Sequence, residues 1–438
     1  MKKTTILIYL LIAVLSASAQ LQRLTLQDAL AKGLSNNFSI LIAGNDAEIS
    51  QNNNTLGNAG FLPTVGATGS FRTSYLSLEN KDQLGNVTKT SNANSQTLSG
   101  GASLDWTLFD GFGMFLRRDK LSMLESMGET AYKTTVENVL SEIIMSYSAV
   151  VQSSNRLQVL QNAINFSNVR FELVKKKYQI GSASELAFLQ ATTDLNADSA
   201  SYLRQEVALK NAKANLNTIL VVAPETDFET ESTISFGEII DIMPIKDSLA
   251  SVNSSVQLAK QRSLVANLDY RIAHSPQYPQ LGFFTDYNYS NVKNDYGQTR
   301  ANRSVGPVVG LNLTIPIFDG GNKRRQATNA RIEAESSKYE YEQTLRQIES
   351  TLFQVYNDYL SNLKLVKLEE ANLKVAVQNT KIAFEKYRVG EMSDIDLRQI
   401  QLSQLEAENS LLVAQYQAKI SETELLRISG KLIKDNQN

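Results

Sequence analysis

The chain contains no cysteine, a single histidine and seven prolines in 438 residues. Without cysteine there can be no disulfide, no thiolate metal site and no cysteine nucleophile. His274, alone before Pro276, cannot build a His-based metal site or a serine-histidine-aspartate triad. No glycine loop of the phosphate-cradling type occurs, and the carboxylates are scattered over polar helix faces. The chain therefore reads as a non-enzyme, with no catalytic, cofactor-binding or metal-ligating residues. A formal net charge of −2 supplies no basic face for nucleic acid. Beyond the first twenty residues no stretch reaches 18 apolar residues, which excludes a transmembrane helix. A membrane can be met only through strands.

The N-terminus itself is a leader. Met1-Lys2-Lys3 is a positive n-region, Thr4 to Leu15 an apolar core and Ala17-Ser18-Ala19 an A-x-A cleavage site. Residues 1–19 are read as a signal peptide, because a membrane anchor needs a longer apolar run. No cysteine follows, so the mature N-terminus cannot carry a lipid on that side chain. The protein leaves the cytoplasm.

What is present is helical periodicity on an unusual scale. After Phe109-Asp110-Gly111 no proline occurs until Pro224. Ile143, Val150, Leu157, Ile164, Phe171 and Tyr178 recur every seventh residue, which predicts one seam of a long helix. A helix from Asp110 to Tyr178 would be about 100 Å long. It breaks at Gly181-Ser182 and returns from Ser184 to Val221. Before it, residues 20–60 read as helices and residues 61–108 as a β-hairpin. In the hairpin Val65, Ala67, Gly69, Phe71, Thr73 and Tyr75 alternate, then Ala102, Leu104, Trp106 and Leu108. The polar run Glu79 to Gln96 between them reads as a long loop.

The pattern then repeats. Residues 109–222 form the first helical hairpin, residues 223–246 an equatorial linker and residues 247–278 a further helix. Residues 279–318 read as a second β-hairpin, with strands at Leu281 to Ser290 and Ser304 to Phe318. In the last strand Val305, Val309, Leu311, Leu313, Ile315 and Ile317 share one face, as suits a barrel wall. Residues 319–432 form the second helical hairpin and residues 433–438 a tail. Phe109-Asp110-Gly111 matches Phe318-Asp319-Gly320 at a shift of 209 (318 − 109), and Tyr178 matches Tyr387 at the same shift. Leu62-Pro63 and Tyr278-Pro279 correspond at 216 (279 − 63). Ordered motifs at a constant shift indicate an internal duplication.

Four strands cannot close a barrel, since about eight is the smallest closed set. An open sheet in hydrocarbon would leave its edge groups unpaired. The strands must close with those of other subunits, and the long helices need neighbours for their seams. Over essentially its whole mature length the chain resembles the TolC-type outer membrane efflux proteins. The likeness is carried by Leu62-Pro63, Tyr278-Pro279 and the segment Ile315-Pro316-Ile317-Phe318-Asp319-Gly320-Gly321. The helix-turn segments Tyr178 to Ser184 and Tyr387 to Ser393 add to it.

The resemblance implies a mixed α and β membrane protein of a Gram-negative outer membrane. It implies a homotrimer with a 12-stranded β-barrel, four strands per protomer, continued by a periplasmic α-helical coiled-coil barrel. It further implies an exit duct of a tripartite efflux or type I secretion system. The implied partners are a periplasmic adaptor, an inner-membrane pump of RND or ABC type and outer membrane lipids. A pore-less periplasmic coiled-coil scaffold is the alternative, against which the alternating strands speak.

By the same resemblance the hairpin tips dock the adaptor. These are Ile180, Gly181, Ser182 and Ser184 in one repeat and Val389, Gly390, Glu391 and Ser393 in the other. Ser182 and Glu391 replace the family's usual leucine. Asp396 and Gln399 align with two acidic residues that constrict the tunnel in the best-known member of that family, with only the first acidic here. Asp394 and Asp396 also suit the first turn of a helix, whose dipole favours negative charge. Trp106, Phe109, Phe283, Phe284, Tyr287, Tyr289 and Phe318 suit aromatic girdles at the membrane interfaces. Arg117-Arg118 and Arg324-Arg325 follow the strand exits, placed either to meet lipid headgroups or to stand in solvent.

Overall fold

The computed structural model describes residues 22–237, 239–297 and 299–435, so the leader lies outside the described residues. These residues fall into two compact units. One holds residues 46–129 and 258–342; the other holds the described residues up to Asn45, residues 130–257 and those from Gln343 onward.

The first of these units carries the sheet. Strands β2 (Thr64–Lys81), β3 (Val87–Asp110), β5 (Gln280–Asn294) and β6 (Ala301–Thr314) are antiparallel in the order β2-β3-β5-β6. The expected loop between Glu79 and Gln96 is mostly strand. Its Ser, Thr and Asn residues are polar on both faces, so no period-two apolar signal marks it. Only Asp82 to Asn86 turn, held by the Asp82 carboxylate, which accepts from Leu84 N (2.9 Å) and Asn86 N (2.8 Å). Strand β6 ends at Thr314, not Phe318, because Pro316 has no N–H for a ladder.

Register sorts the sheet into two faces. Leu104 pairs with Val65 and Thr285, Trp106 with Phe283, and Phe283 with Leu311. A bulge between Thr107 and Phe109 sets Phe109 against Leu281, which pairs with Leu313. This face is apolar and largely exposed. The other face carries Arg72, Asp105 and Asp286 among Ser, Thr, Asn and Gly. Phe284 belongs to that polar face, where its ring lies over Gly310; a Cβ there would come within 2.5 Å of it. The register therefore removes Phe284 from the outer aromatic set, and Phe318 lies beyond the strand.

At the foot of this unit Asp110 caps the following helix α4 (Gly113–Gln179) through Met114 N at 2.9 Å and pairs with Arg117 at 2.5 Å. Arg117 also donates to the carbonyl of Ala59 at 3.1 Å, and Arg118 binds Asn54. Both arginines are spent on the fold, whereas Arg324 and Arg325 remain exposed.

The other unit is helical. The N-terminal helices are α1 (Leu26–Asn36), α2 (Phe38–Asn53) and α3 (Leu56–Ala59), of which α3 and the end of α2 fall in the unit that carries the sheet. Short strands β1 (Gln22–Arg23) and β4 (Phe228–Glu229) pair in parallel. The linker ends early, because α6 (Ile242–Val252) already contains Pro244 in its first turn, where no backbone donor is needed. Helix α7 (Ser254–His274) follows. The hairpins are α4 with α5 (Glu185–Ile219), and α8 (Asn322–Val389) with α9 (Asp394–Ile428); α10 (Leu432–Asp435) closes the described chain.

The duplication is visible in the core. Ile143, Val150 and Leu216 are buried in one cluster; their counterparts at the shift of 209, Leu352, Tyr359 and Leu425, are buried in a second. Helix α6 repeats α1 at the shift of 216 (242 − 26), with Ile245 and Leu249 buried as Ala29 and Gly33 are. Gly33 is glycine for a packing reason: a Cβ would sit 2.1 Å from Ile143 Cδ1.

Candidate functional site

The two hairpin tips are built alike. Gly181 (φ +76°) and Gly390 (φ +88°) take the left-handed conformation that ends α4 and α8. Ser182 N then donates to Lys177 O at 2.8 Å and Glu391 N to Lys386 O at 2.9 Å, capping carbonyls the helices leave open. Neither glycine has any atom within 4 Å of a built Cβ. Ser184 caps α5 by accepting from Ala187 N at 3.2 Å, and Ser393 caps α9 by accepting from Asp396 N at 3.1 Å. The predicted tip residues thus come together at two equivalent turns. Apolar side chains stand out beside them: Ile180 is 79 % exposed and Val389 71 %, with Leu186 and Ile395 each at 76 %.

Asp396 and Gln399 are both exposed. Asp396 accepts from the Ser393 hydroxyl at 2.6 Å, so it is oriented by the helix cap. Gln399 lines a half-open cleft of about 540 Å³ between the first turns of α5 and α9, together with Leu186, Gln190, Asp194, Ile395 and Arg398.

Beneath that cleft lies a charge network that apolar periodicity did not announce. The Arg170 side chain, 1 % exposed, pairs with Asp194 and lies 3.1 Å from Asp394 through Nε. Arg398 binds Asp198 with both terminal nitrogens, at 2.8 and 2.9 Å, and approaches Asp194 at 3.8 Å. Ser167 donates to Asp198 at 2.5 Å and accepts from Gln401 at 2.9 Å. Helices α4, α5 and α9 are tied together by this set. Burial works against the Arg398 charge, but the hydrogen bond and charge of Asp198, then Asp194 and Asp394, push it up. Tyr387 on α8 joins through Asp394. Its hydroxyl is pushed up to about 12, first by burial and then by the charge and hydrogen bond of Asp394, so it donates at neutral pH.

The heptad reading failed here for a geometric reason. Near the tip the buried stripe of α4 is Ala163, Ser167, Arg170 and Val174, while Ile164 and Phe171 are only half-buried and Tyr178 is exposed. A usable signal lay in the duplication. At the shift of 209 the counterparts of Arg170, Asp194, Asp198 and Arg398 are Asn379, Ser403, Ala407 and Leu189. Charge present in one repeat and absent from the other marks the network.

The comparisons with known proteins agree with this architecture. A family model described as outer membrane efflux protein matches residues 15–220 and 246–431. The outer membrane protein TolC of Vibrio cholerae serotype O1 is 20 % identical over 351 residues, 77 % of this chain and 78 % of that protein. The crystal structure of the Campylobacter jejuni CmeC outer membrane channel superposes with a TM-score of 0.81 at 16 % identity, over 94 % of this chain and 89 % of the other. The outer membrane protein VceC of Vibrio cholerae gives 0.75 at 17 % identity, over 92 % and 96 %.

Proposed function

Because the chain belongs to the outer membrane efflux protein family, we propose that three copies close its four-stranded sheets into one 12-stranded barrel over a helical periplasmic tunnel. It is an outer membrane efflux channel extending into the periplasm. The observation that carries the trimer is the open sheet, whose edge strands β2 and β6 have no second strand partner among the described residues of the protomer. Hydrocarbon does not tolerate such edges. Transport is passive, and the energy comes from an RND or ABC pump in the inner membrane through a periplasmic adaptor. The adaptor docks on the two tips, through Ile180, Gly181, Ser182 and Ser184 and through Val389, Gly390, Glu391 and Ser393. Asp396 and Gln399 narrow the tunnel just above them.

The test uses Gly181→Val and Gly390→Val. A β-branched residue at positive φ costs about 1–3 kcal/mol of local strain, and the open space around both glycines leaves strain as the main effect. Both variants should insert and trimerise normally, lose crosslinking to the adaptor and stop export. Normal export by both would show that the tips are only turns.

A further inference from the structure

The apolar face of the sheet carries two charged side chains below the Leu76/Leu78 irregularity, Lys293 on β5 and Arg303 on β6. Both are cationic and exposed. Lys293 pairs with Ala301 and Asn291 with Arg303, so the two residues are diagonal neighbours whose backbone positions are about 7–8 Å apart. Arg303 is oriented: its guanidinium carbon lies 5.3 Å from the centre of the Tyr289 ring, one step further down the same face.

Their height on the sheet identifies their surroundings. Arg303 and Leu313 lie on one strand, ten residues apart (313 − 303). That is about 33 Å along the strand, or about 25 Å in height at the usual barrel tilt. The height equals that of a lipid-facing apolar band. Between the two levels the face holds Tyr289, Tyr287, Val305, Val309, Leu311, Leu104 and Trp106, with no charge. The cations lie beside the β5–β6 turn, away from the strand ends that lead into the helices. Given the barrel proposed above, on which this step rests, they stand in the outer headgroup layer.

We infer that Lys293 and Arg303 form a binding site for the phosphate groups of an outer-leaflet glycolipid, with Tyr289 beneath them against its sugar and upper acyl region. Two exposed cations on adjacent strands, with no carboxylate between them on this face, suit a multiply charged phosphate headgroup that can meet both. The polar face offers no such pair, since below the same irregularity Arg72 is its one cation. Three copies would place three equivalent sites around the barrel.

Native mass spectrometry of the full-length protein in detergent tests this, because one spectrum reports oligomer and bound lipid separately. Bisphosphorylated lipid A should bind, and its dephosphorylated form should bind on the order of 25-fold more weakly. K293Q with R303Q should show the same loss while keeping the oligomer, and K293R with R303K should retain binding. Undiminished binding by the glutamine variant, or equal binding of dephosphorylated lipid A, overturns the site. Equally tight phosphatidylglycerol overturns the glycolipid assignment. Loss of the trimer in the unmodified protein would instead strike the barrel reading.

Discussion

The Asn253 side chain donates through Nδ2 to the carbonyl oxygen of Ile428 at 3.0 Å. Asn37 makes the equivalent bond to Ile219 at 2.9 Å in the first repeat. Each asparagine sits between two consecutive helices and locks that break to the C-terminal end of a returning helix. Their backbones are extended, and the Oδ1 atoms turn back to accept from Val256 N and Ser39 N. Replacing Asn253 with alanine leaves a buried carbonyl unpaired and removes a helix cap. The expected cost is about 1–3 kcal/mol, read as a lower denaturation midpoint. Asn37→Ala should behave alike, and an unchanged midpoint in both would show that the locks contribute nothing.

The tip network makes a sharper demand. Arg170→Met leaves Asp194 and Asp394 without their buried cation, a loss of about 3–5 kcal/mol for such pairs. The damage should concentrate at the tip, so hydrogen exchange in the first turns of α5 and α9 should accelerate while the sheet stays protected. Uniform exchange throughout would mean the network holds nothing locally.

Much of this was legible in the sequence. The glycine breaks at Gly181 and Gly390, the duplicated Phe-Asp-Gly corner and the alternation of Val305 to Leu313 each state a local geometry outright. Arg170 was hidden because a buried arginine interrupts the very periodicity used to find a seam. The upper part of β2 and β3 was hidden because a strand exposed on both faces has no period-two contrast. Phe284 was misplaced because strand register, not residue type, decides which face an aromatic occupies.

The acid response has a predictable sign. Glu137, buried on α4, has its carboxyl pushed up by burial, an effect that the Ser254 hydrogen bond at 2.8 Å and then Lys133 and Arg427 only partly offset. A raised folded-state value means the neutral form stabilises the fold below the unfolded value of 4.5. That contribution fades as pH rises through the folded value. Glu137→Gln should therefore raise the denaturation midpoint at neutral pH and change little at pH 4. A lower midpoint at neutral pH would show that the ion pairs outweigh burial.

The two faces of the sheet differ in what they tolerate. Leu313 lies on the apolar face and Asn312 on the polar one. Val309→Arg, on the same apolar face and about midway along the band, should cost about 2–4 kcal/mol, and Leu313→Arg, at the band's lower edge, about 0–1 kcal/mol. Asn312→Arg should cost much less than Val309→Arg. Equal defects in membrane assembly from those two would reverse the facing of the sheet.

The detergent-corrected mass of the folded protein bears most directly on the channel itself. A sheet of four strands cannot seal its own edges in hydrocarbon, so the mass should be that of three chains, with no folded monomer. A folded, membrane-competent monomer would contradict the account.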